Sequence, residues 1–349
     1  MYIIIAILMF GILIAVHEFG HFTAAKLCGV RVEEYSIGMG PAIWKHQRGE
    51  TLYALRALPI GGYCAMTGED EASEDPRAFI NQKAWKKLII LVAGSFMNFL
   101  LGLVLVYVMY IGAEAFVAPV IDNFMPDCPY ESEAGLQKGD EFYSINGQRV
   151  YLVNDVSEFL LKGDGTYDIV VLRDGKKLEI SDFNITMREY EGYDSPKFGF
   201  LFGYEKANFK TMLEYTWKTS MEFSRWVWMG LDQLLSGEVG LNEMSGPVGI
   251  VDMMNDAGQS AESAKMAFGN IVYISAFIAI NLAIMNMLPI PALDGGRVFL
   301  LVVTVIIEAI TRKKLDPKYE NYINMAGMVL LLALMALVMF NDVWKLFRG

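Results

Sequence analysis

Ile12-Leu13-Ile14-Ala15-Val16-His17-Glu18-Phe19-Gly20-His21-Phe22-Thr23-Ala24-Ala25-Lys26 is the stretch that decides how this chain is read. It lies inside an apolar run: residues 1–16 carry no charge, and the run continues past His17-Glu18 to Leu27. That length exceeds the ~20 residues a helix needs to cross a hydrocarbon core of ~30 Å. A cleaved signal peptide would have a basic n-region and a small-residue cleavage site, and His17, Glu18 and His21 stand where that site would lie. The run reads as a retained transmembrane span with ionisable groups at mid-helix.

Working outward, further apolar runs cover Leu88–Gly112, about Met266–Leu288 and about Ile323–Phe340, each of spanning length, while Val298–Ile310 is shorter and reads as a half-length or interfacial helix. Over the 349 residues 54% are hydrophobic and 20% charged, which excludes a disordered chain. The net charge of −11 leaves no basic footprint, so nucleic acid is not an expected partner. Three scattered cysteines make neither a disulfide framework nor a cysteine zinc site. Basic residues set orientation most strongly in short loops: about nine Lys/Arg cluster from Lys26 to Lys87, and Arg312, Lys313, Lys314 and Lys318 lie between the last two apolar stretches. From Ala113 to Lys265 roughly thirteen Lys/Arg face roughly twenty-six Asp/Glu. Both basic loops are therefore expected in the cytoplasm, with both termini and the acidic segment outside.

Val16-His17-Glu18-Phe19-Gly20-His21 is an H-E-x-x-H pattern. Positions i and i+4 share a helix face, so His17 and His21 can present imidazoles to one metal, with Glu18 beside them as a base. The blander reading is a chance match. Within a span, however, each ionisable side chain costs roughly 2.5–3.5 kcal/mol on insertion scales, and a divalent metal supplies the missing partner. A catalytic zinc needs a third ligand and one open position. Asp294 stands out, just after Asn286-Met287-Leu288-Pro289-Ile290-Pro291-Ala292-Leu293, where two prolines break the helix. The alternative is an ordinary helix end, with Asp294 capping Val298–Ile310.

These two motifs resemble those of the site-2 protease family of intramembrane zinc metalloproteases, in its bacterial RseP-like subgroup. The resemblance extends to Ala93-Gly94-Ser95-Phe96-Met97-Asn98-Phe99 in the second run and Ser245-Gly246-Pro247-Val248-Gly249 ahead of the third. It implies zinc on His17, His21 and Asp294, Glu18 as catalytic base, and Asn286 near the substrate as a stabilising or positioning group. Ser95 stands where the family usually has proline. The extracytoplasmic part has room for one PDZ unit, where some Gram-negative members carry a tandem pair.

Ile145-Asn146-Gly147 is a hairpin turn signal, and strand patterns at Tyr167–Arg173 and Lys177–Ile180 are joined by Asp174-Gly175. The stretch Ala134-Gly135-Leu136 through Gln148 and its sequel, about Val117–Phe202, resembles a bacterial PDZ domain, a fold that adds a peptide strand to its edge; a β-rich spacer is the alternative. Asn208–Leu235, with Trp217, Trp226 and Trp228, reads as a helix at the outer membrane interface or a buried packing helix. Between the first two spans, Val32–Gly62 reads as a β-hairpin dipping toward the metal, with a strand at Thr51–Leu58 and its end at Pro59-Ile60-Gly61-Gly62-Tyr63, or as a structural re-entrant loop. Glu69, Asp70, Glu71, Glu74 and Asp75 read as a solvated cytoplasmic loop.

The expected architecture is a multi-pass α-helical membrane protein of about four transmembrane helices, with a membrane-embedded β-hairpin and an inserted extracytoplasmic PDZ domain. Its expected parts are residues 1–112, a PDZ domain at 113–204, an amphipathic interfacial region at 205–262, and 263–349. The expected activity is zinc-dependent endoproteolysis of single-span membrane proteins in the plasma membrane, anti-sigma factors or remnant signal peptides trimmed beforehand by another protease. Partners are those substrates, the lipid bilayer and a peptide ligand of the PDZ domain. A metal transporter or sensor would share the histidines and Asp294 but has no need of Glu18 as a base; a non-catalytic PDZ scaffold is the third reading.

Overall fold

Long apolar runs become long helices because hydrocarbon offers backbone groups no hydrogen-bond partners outside the chain. The structure, a computed structural model, describes residues 2–69, 73–133, 135–240, 246–313 and 318–348. Helices α1 (Tyr2–Cys28) and α2 (Ala84–Tyr110) come first, with strands β1 (Val32–Arg48) and β2 (Thr51–Met66) between them. Strands β3 (Ala115–Phe124), β4 (Glu141–Ile145) and β5 (Gln148–Arg149) precede helix α3 (Val153–Lys162). Strands β6 (Thr166–Arg173), β7 (Lys176–Asn184) and β8 (Phe200–Lys206) follow, then helices α4 (Phe209–Ser236), α5 (Pro247–Gln259), α6 (Ala264–Asn286), α7 (Asp294–Thr311) and α8 (Lys318–Arg348). Among the described residues, four helical stretches, Tyr2–Cys28, Ala84–Tyr110, Ala264–Asn286 and Tyr322–Asp342, are long and apolar enough to cross a bilayer. The protein is a multi-pass helical membrane protein. The chain groups into one unit of Met1–Met109 with Phe223–Gly349 and a second of Tyr110–Glu222.

In the first unit, glycine lets α1 and α2 approach closely. A Cβ on Gly20 would lie 2.3 Å from the Ala93 carbonyl oxygen, so only a residue without a side chain fits this crossing. The N-terminal half of α1 packs Ala6 and Leu13 against Met254 of α5 and Ile271, Ile278 and Ala279 of α6. Helix α5 begins at Gly246-Pro247, where the buried Asp342 of α8 accepts hydrogen bonds from the backbone N–H groups of Gly246 (3.2 Å) and Gly249 (2.9 Å), a cap supplied from a different helix. Of the Ser245–Gly249 motif, Ser245 lies outside the described residues. Helix α4 buries Phe223 against Tyr273 and Phe277 of α6 and leaves Trp217 and Trp228 exposed.

The β region between α1 and α2 is more elaborate than a single hairpin ending at Tyr63. Residues 32–37 pair on one side with 62–66 (Tyr35 opposite Cys64) and on the other with 52–55 (Tyr35 opposite Tyr53), and the turn strand 42–48 pairs with 51–56. Pro59-Ile60-Gly61-Gly62 therefore continues the strand, because Gly62 and Tyr63 find backbone partners in Ile37 and Ser36. The Tyr35 hydroxyl ties this sheet to α1 by donating to the Ala15 carbonyl at 3.0 Å. The acidic loop also departs from expectation. Glu69 is paired with Arg297 of α7, and Asp75 with Arg31 and with Arg77 of its own loop, while Glu74 is exposed as expected; Asp70 and Glu71 lie outside the described residues.

The second unit is a six-stranded sheet in the order β7-β6-β4-β3-β8, with β5 pairing β4. Both turn signals form as read: Asn146 and Gly147 take φ of 49° and 76°, and Asp174 and Gly175 take 53° and 75°, the left-handed pair that twists a hairpin correctly. Val156, Phe159 and Leu160 of α3 close a core over Ile121, Phe142, Ile145, Ile169 and Val171. Beneath it, the fully buried Asp140 holds Arg173 in a bidentate pair (2.7 and 2.8 Å) and accepts from the Gln137 N–H at 2.8 Å. That pairing raises the Arg173 pKa above its usual value.

Candidate metal centre

Helix α1 places His17 and His21 one turn apart on one face, and α7 brings Asp294 to them. Asp294 Oδ2 stands 3.3 Å from each Nε2 atom, and the two Nε2 atoms are 3.2 Å apart. Asp294 can reach this point because the chain before it is broken and tightly folded. Ala292 takes φ +77°, and Cβ atoms on Gly295 and Gly296 would lie 2.2 Å from the Met287 carbonyl oxygen and 2.1 Å from that of Ile290. Asp294 is thus the first residue of α7, which starts four residues earlier than the run from Val298 suggested.

Helix α2 forms the wall behind the imidazoles. A Cβ on Gly94 would lie 2.3 Å from His21 Nε2 and 2.7 Å from His17 Cε1, so the rings occupy the space a side chain would need. His21 Nδ1 donates to the Ile90 carbonyl at 2.8 Å, and Asn98 Nδ2 lies 3.4 Å from His17 Nδ1. Neither Ile90 nor Asn98 was assigned a role from sequence. The available signals were the Ala93–Phe99 stretch of the resemblance and two polar residues, Ser95 and Asn98, within an apolar run.

Asp294 Oδ2 is buried and makes no hydrogen bond, although both imidazoles face it. A buried orphan carboxylate oxygen is costly, and a cation between the three atoms would satisfy it. Two imidazoles and a carboxylate are the donor set of a catalytic zinc site with one position open. Glu18 lies beside the strand segment 62–66: a Cβ on Gly62 would be 3.2 Å from Glu18 Cγ and 2.9 Å from the Ser36 carbonyl oxygen. Asn286 ends α6, half-buried, and among the described residues no hydrogen bond joins its side chain to His17, His21 or Asp294.

The profile of peptidase family M50 matches residues 5–334. The chain is 35% identical to a protein of Clostridium acetobutylicum named as a candidate zinc metalloprotease, over 98% of this chain and 97% of that one. It is 32% identical to a protein of Clostridium perfringens named in the same way, over 98% of each. It is 27% identical, over 99% of each, to the regulator of sigma-W protease RasP of Bacillus subtilis.

Proposed function

Because the chain belongs to peptidase family M50, and is a membrane metalloprotease with zinc as its cofactor, we propose that His17, His21 and Asp294 hold that zinc and that the enzyme cuts single-span substrates within the bilayer. The observation that carries the reading is the convergence of three ligand atoms from α1 and α7 on one point, with Asp294 Oδ2 left unsatisfied. Zinc bound there supplies a Lewis acid that acidifies water and polarises the scissile carbonyl. Glu18 takes the proton of the attacking water on its carboxylate and passes it to the nitrogen of the departing amine. Asn286 is the group proposed to position the substrate, from its place at the broken end of α6.

A helical substrate shields its peptide bonds, so cleavage requires an extended segment. The sheet of β1 and β2 is read as membrane-embedded, offering its 62–66 edge to that segment. The close approach at Gly62 supports this, since the strand passes against Glu18 without a side chain between them. The second unit is read as a PDZ domain on the extracytoplasmic side. A cleft of about 240 Å³ between Val156 and Leu161 of α3 and Phe200 and Phe202 of β8 supports a peptide site there. Both termini face outside in this reading, and the domain keeps bulky extracytoplasmic parts of a substrate from reaching the zinc. Anti-sigma factors and remnant signal peptides, trimmed by a first protease, fit that filter; the B. subtilis relative is named for the regulation of sigma-W. Cleavage of a purified single-span segment is the test. Wild type should cut the trimmed form faster than the form with a folded outer domain, and Glu18→Gln should cut neither. Full activity in Glu18→Gln would defeat the assignment of the base.

A further inference from the structure

A neutral imidazole that binds a cation through Nε2 carries its hydrogen on Nδ1, and that N–H needs an acceptor. His21 has one, the Ile90 carbonyl at 2.8 Å. For His17, the group facing Nδ1 is the side-chain amide of Asn98 on α2, 1% exposed, with Nδ2 at 3.4 Å and Oδ1 without a hydrogen-bond partner. Two donors cannot bond to one another. A half-turn of the amide exchanges its ends with no other movement and puts the oxygen where the proton is. The position is built: Gly94, one helical turn earlier on the same face of α2, would bring a Cβ within 2.7 Å of the His17 ring, so the helix lies directly against it.

We propose that Asn98 is a positioning residue, whose Oδ1 accepts the Nδ1 hydrogen of His17 and so holds the ring in the tautomer that leaves Nε2 free for zinc. The proposal rests on the reading of His17 as a zinc ligand. Ser95 supplies a matched control, because it is buried on the same helix and its Oγ has no hydrogen-bond partner.

The test is zinc affinity of the full chain in detergent, measured by chelator competition, for wild type, Asn98→Leu, Asn98→Asp, Ser95→Ala and His17→Ala. Asn98→Leu removes the acceptor and should weaken zinc binding ~10–100-fold, the usual effect of losing an outer partner of a ligating histidine. Asn98→Asp keeps an acceptor oxygen and should hold zinc within about threefold of wild type, as should Ser95→Ala. Unchanged affinity in Asn98→Leu overturns the proposal. Should that variant not fold, Asn98→Asp decides: a loss there means the amide nitrogen was the working end, which overturns it too. If His17→Ala binds zinc as tightly as wild type, the ligand assignment itself has failed; if it loses zinc while Asn98→Leu does not, only the role of Asn98 has.

Discussion

Buried carboxylates meet opposite fates in this protein: Asp140, Asp155 and, in the helical unit itself, Asp342 are saturated with donors, whereas Asp294 is not. In the sheet unit, Asp140 bonds Arg173 through both oxygens and takes the Gln137 N–H as well, and Asp155 accepts from the backbone N–H groups of Tyr151 (2.6 Å) and Leu152 (3.1 Å). In the helical unit, Asp294 Oδ2 has two imidazole nitrogens at 3.3 Å and no hydrogen bond. Asn98 Oδ1 and Ser95 Oγ, also buried there, are unpartnered as well. A saturated carboxylate organises the fold around it. An unsaturated one, held in place by tightly packed glycines, is where the proposed zinc would supply the missing partner.

Breaking the saturated case should cost the most. Asp140→Ala leaves the Arg173 guanidinium without its carboxylate, and removal of one partner of a buried pair costs ~3–5 kcal/mol. Arg173 keeps some solvent contact, which places the expected loss at the lower end, about 3 kcal/mol. Thermal unfolding of the full chain should show an earlier transition with zinc content unchanged; loss of zinc with it would erase the contrast between Asp140 and Asp294.

The unsaturated case should fail through geometry instead. Gly94→Ala puts a methyl group where the two imidazoles lie, and a displacement of ~1 Å at reacting groups costs about 10²-fold in rate. Gly269→Ala is the control, since a Cβ there meets nothing within 4 Å. Equal cleavage by the two variants would show that the wall of α2 does not position the histidines.

A smaller effect is expected at the ion pair between Glu69, just past β2, and Arg297, one turn after Asp294 on α7. Singly reversed charges should each destabilise the helical unit, and the exchange Glu69→Arg with Arg297→Glu should recover about 1–2 kcal/mol in a double-mutant cycle. Additive losses would mean that the pair does not tie α7 to the sheet. A loss of similar size is expected in the sheet unit, where Asn146→Ala forces a residue with no polar side chain into φ 49° and removes the Asn146 Oδ1 acceptor of the Asp168 N–H (2.9 Å). About 1–2 kcal/mol of stability should be lost, with zinc content intact.

Signals confined to a few neighbouring residues were legible. The spans were read from uninterrupted apolar runs, and the hairpin turns from Asn146-Gly147 and Asp174-Gly175, because chain length and local backbone preference decide them. Asp294, which the structure brings to His17 and His21, drew notice because two prolines and two glycines announce irregular backbone beside an apolar run. Features made by pairing across long separations were not legible. The 32–37 segment pairs on both sides, which no alternation in the sequence announces. Glu69 looked like one more acid in a solvated loop, since its partner Arg297 lies 228 residues away. Asn98 gains meaning only from the crossing of α1 with α2 at Gly20 and Gly94.

The most direct test of the central claim is the zinc content of purified wild type, Glu18→Gln and Asp294→Ala, measured alongside cleavage. Two imidazoles and a carboxylate leave a single open position, so wild type should hold about one zinc per chain. Glu18→Gln should hold as much and cut nothing. Asp294→Ala should lose both metal and activity. Full zinc and full cleavage in Asp294→Ala would contradict the account.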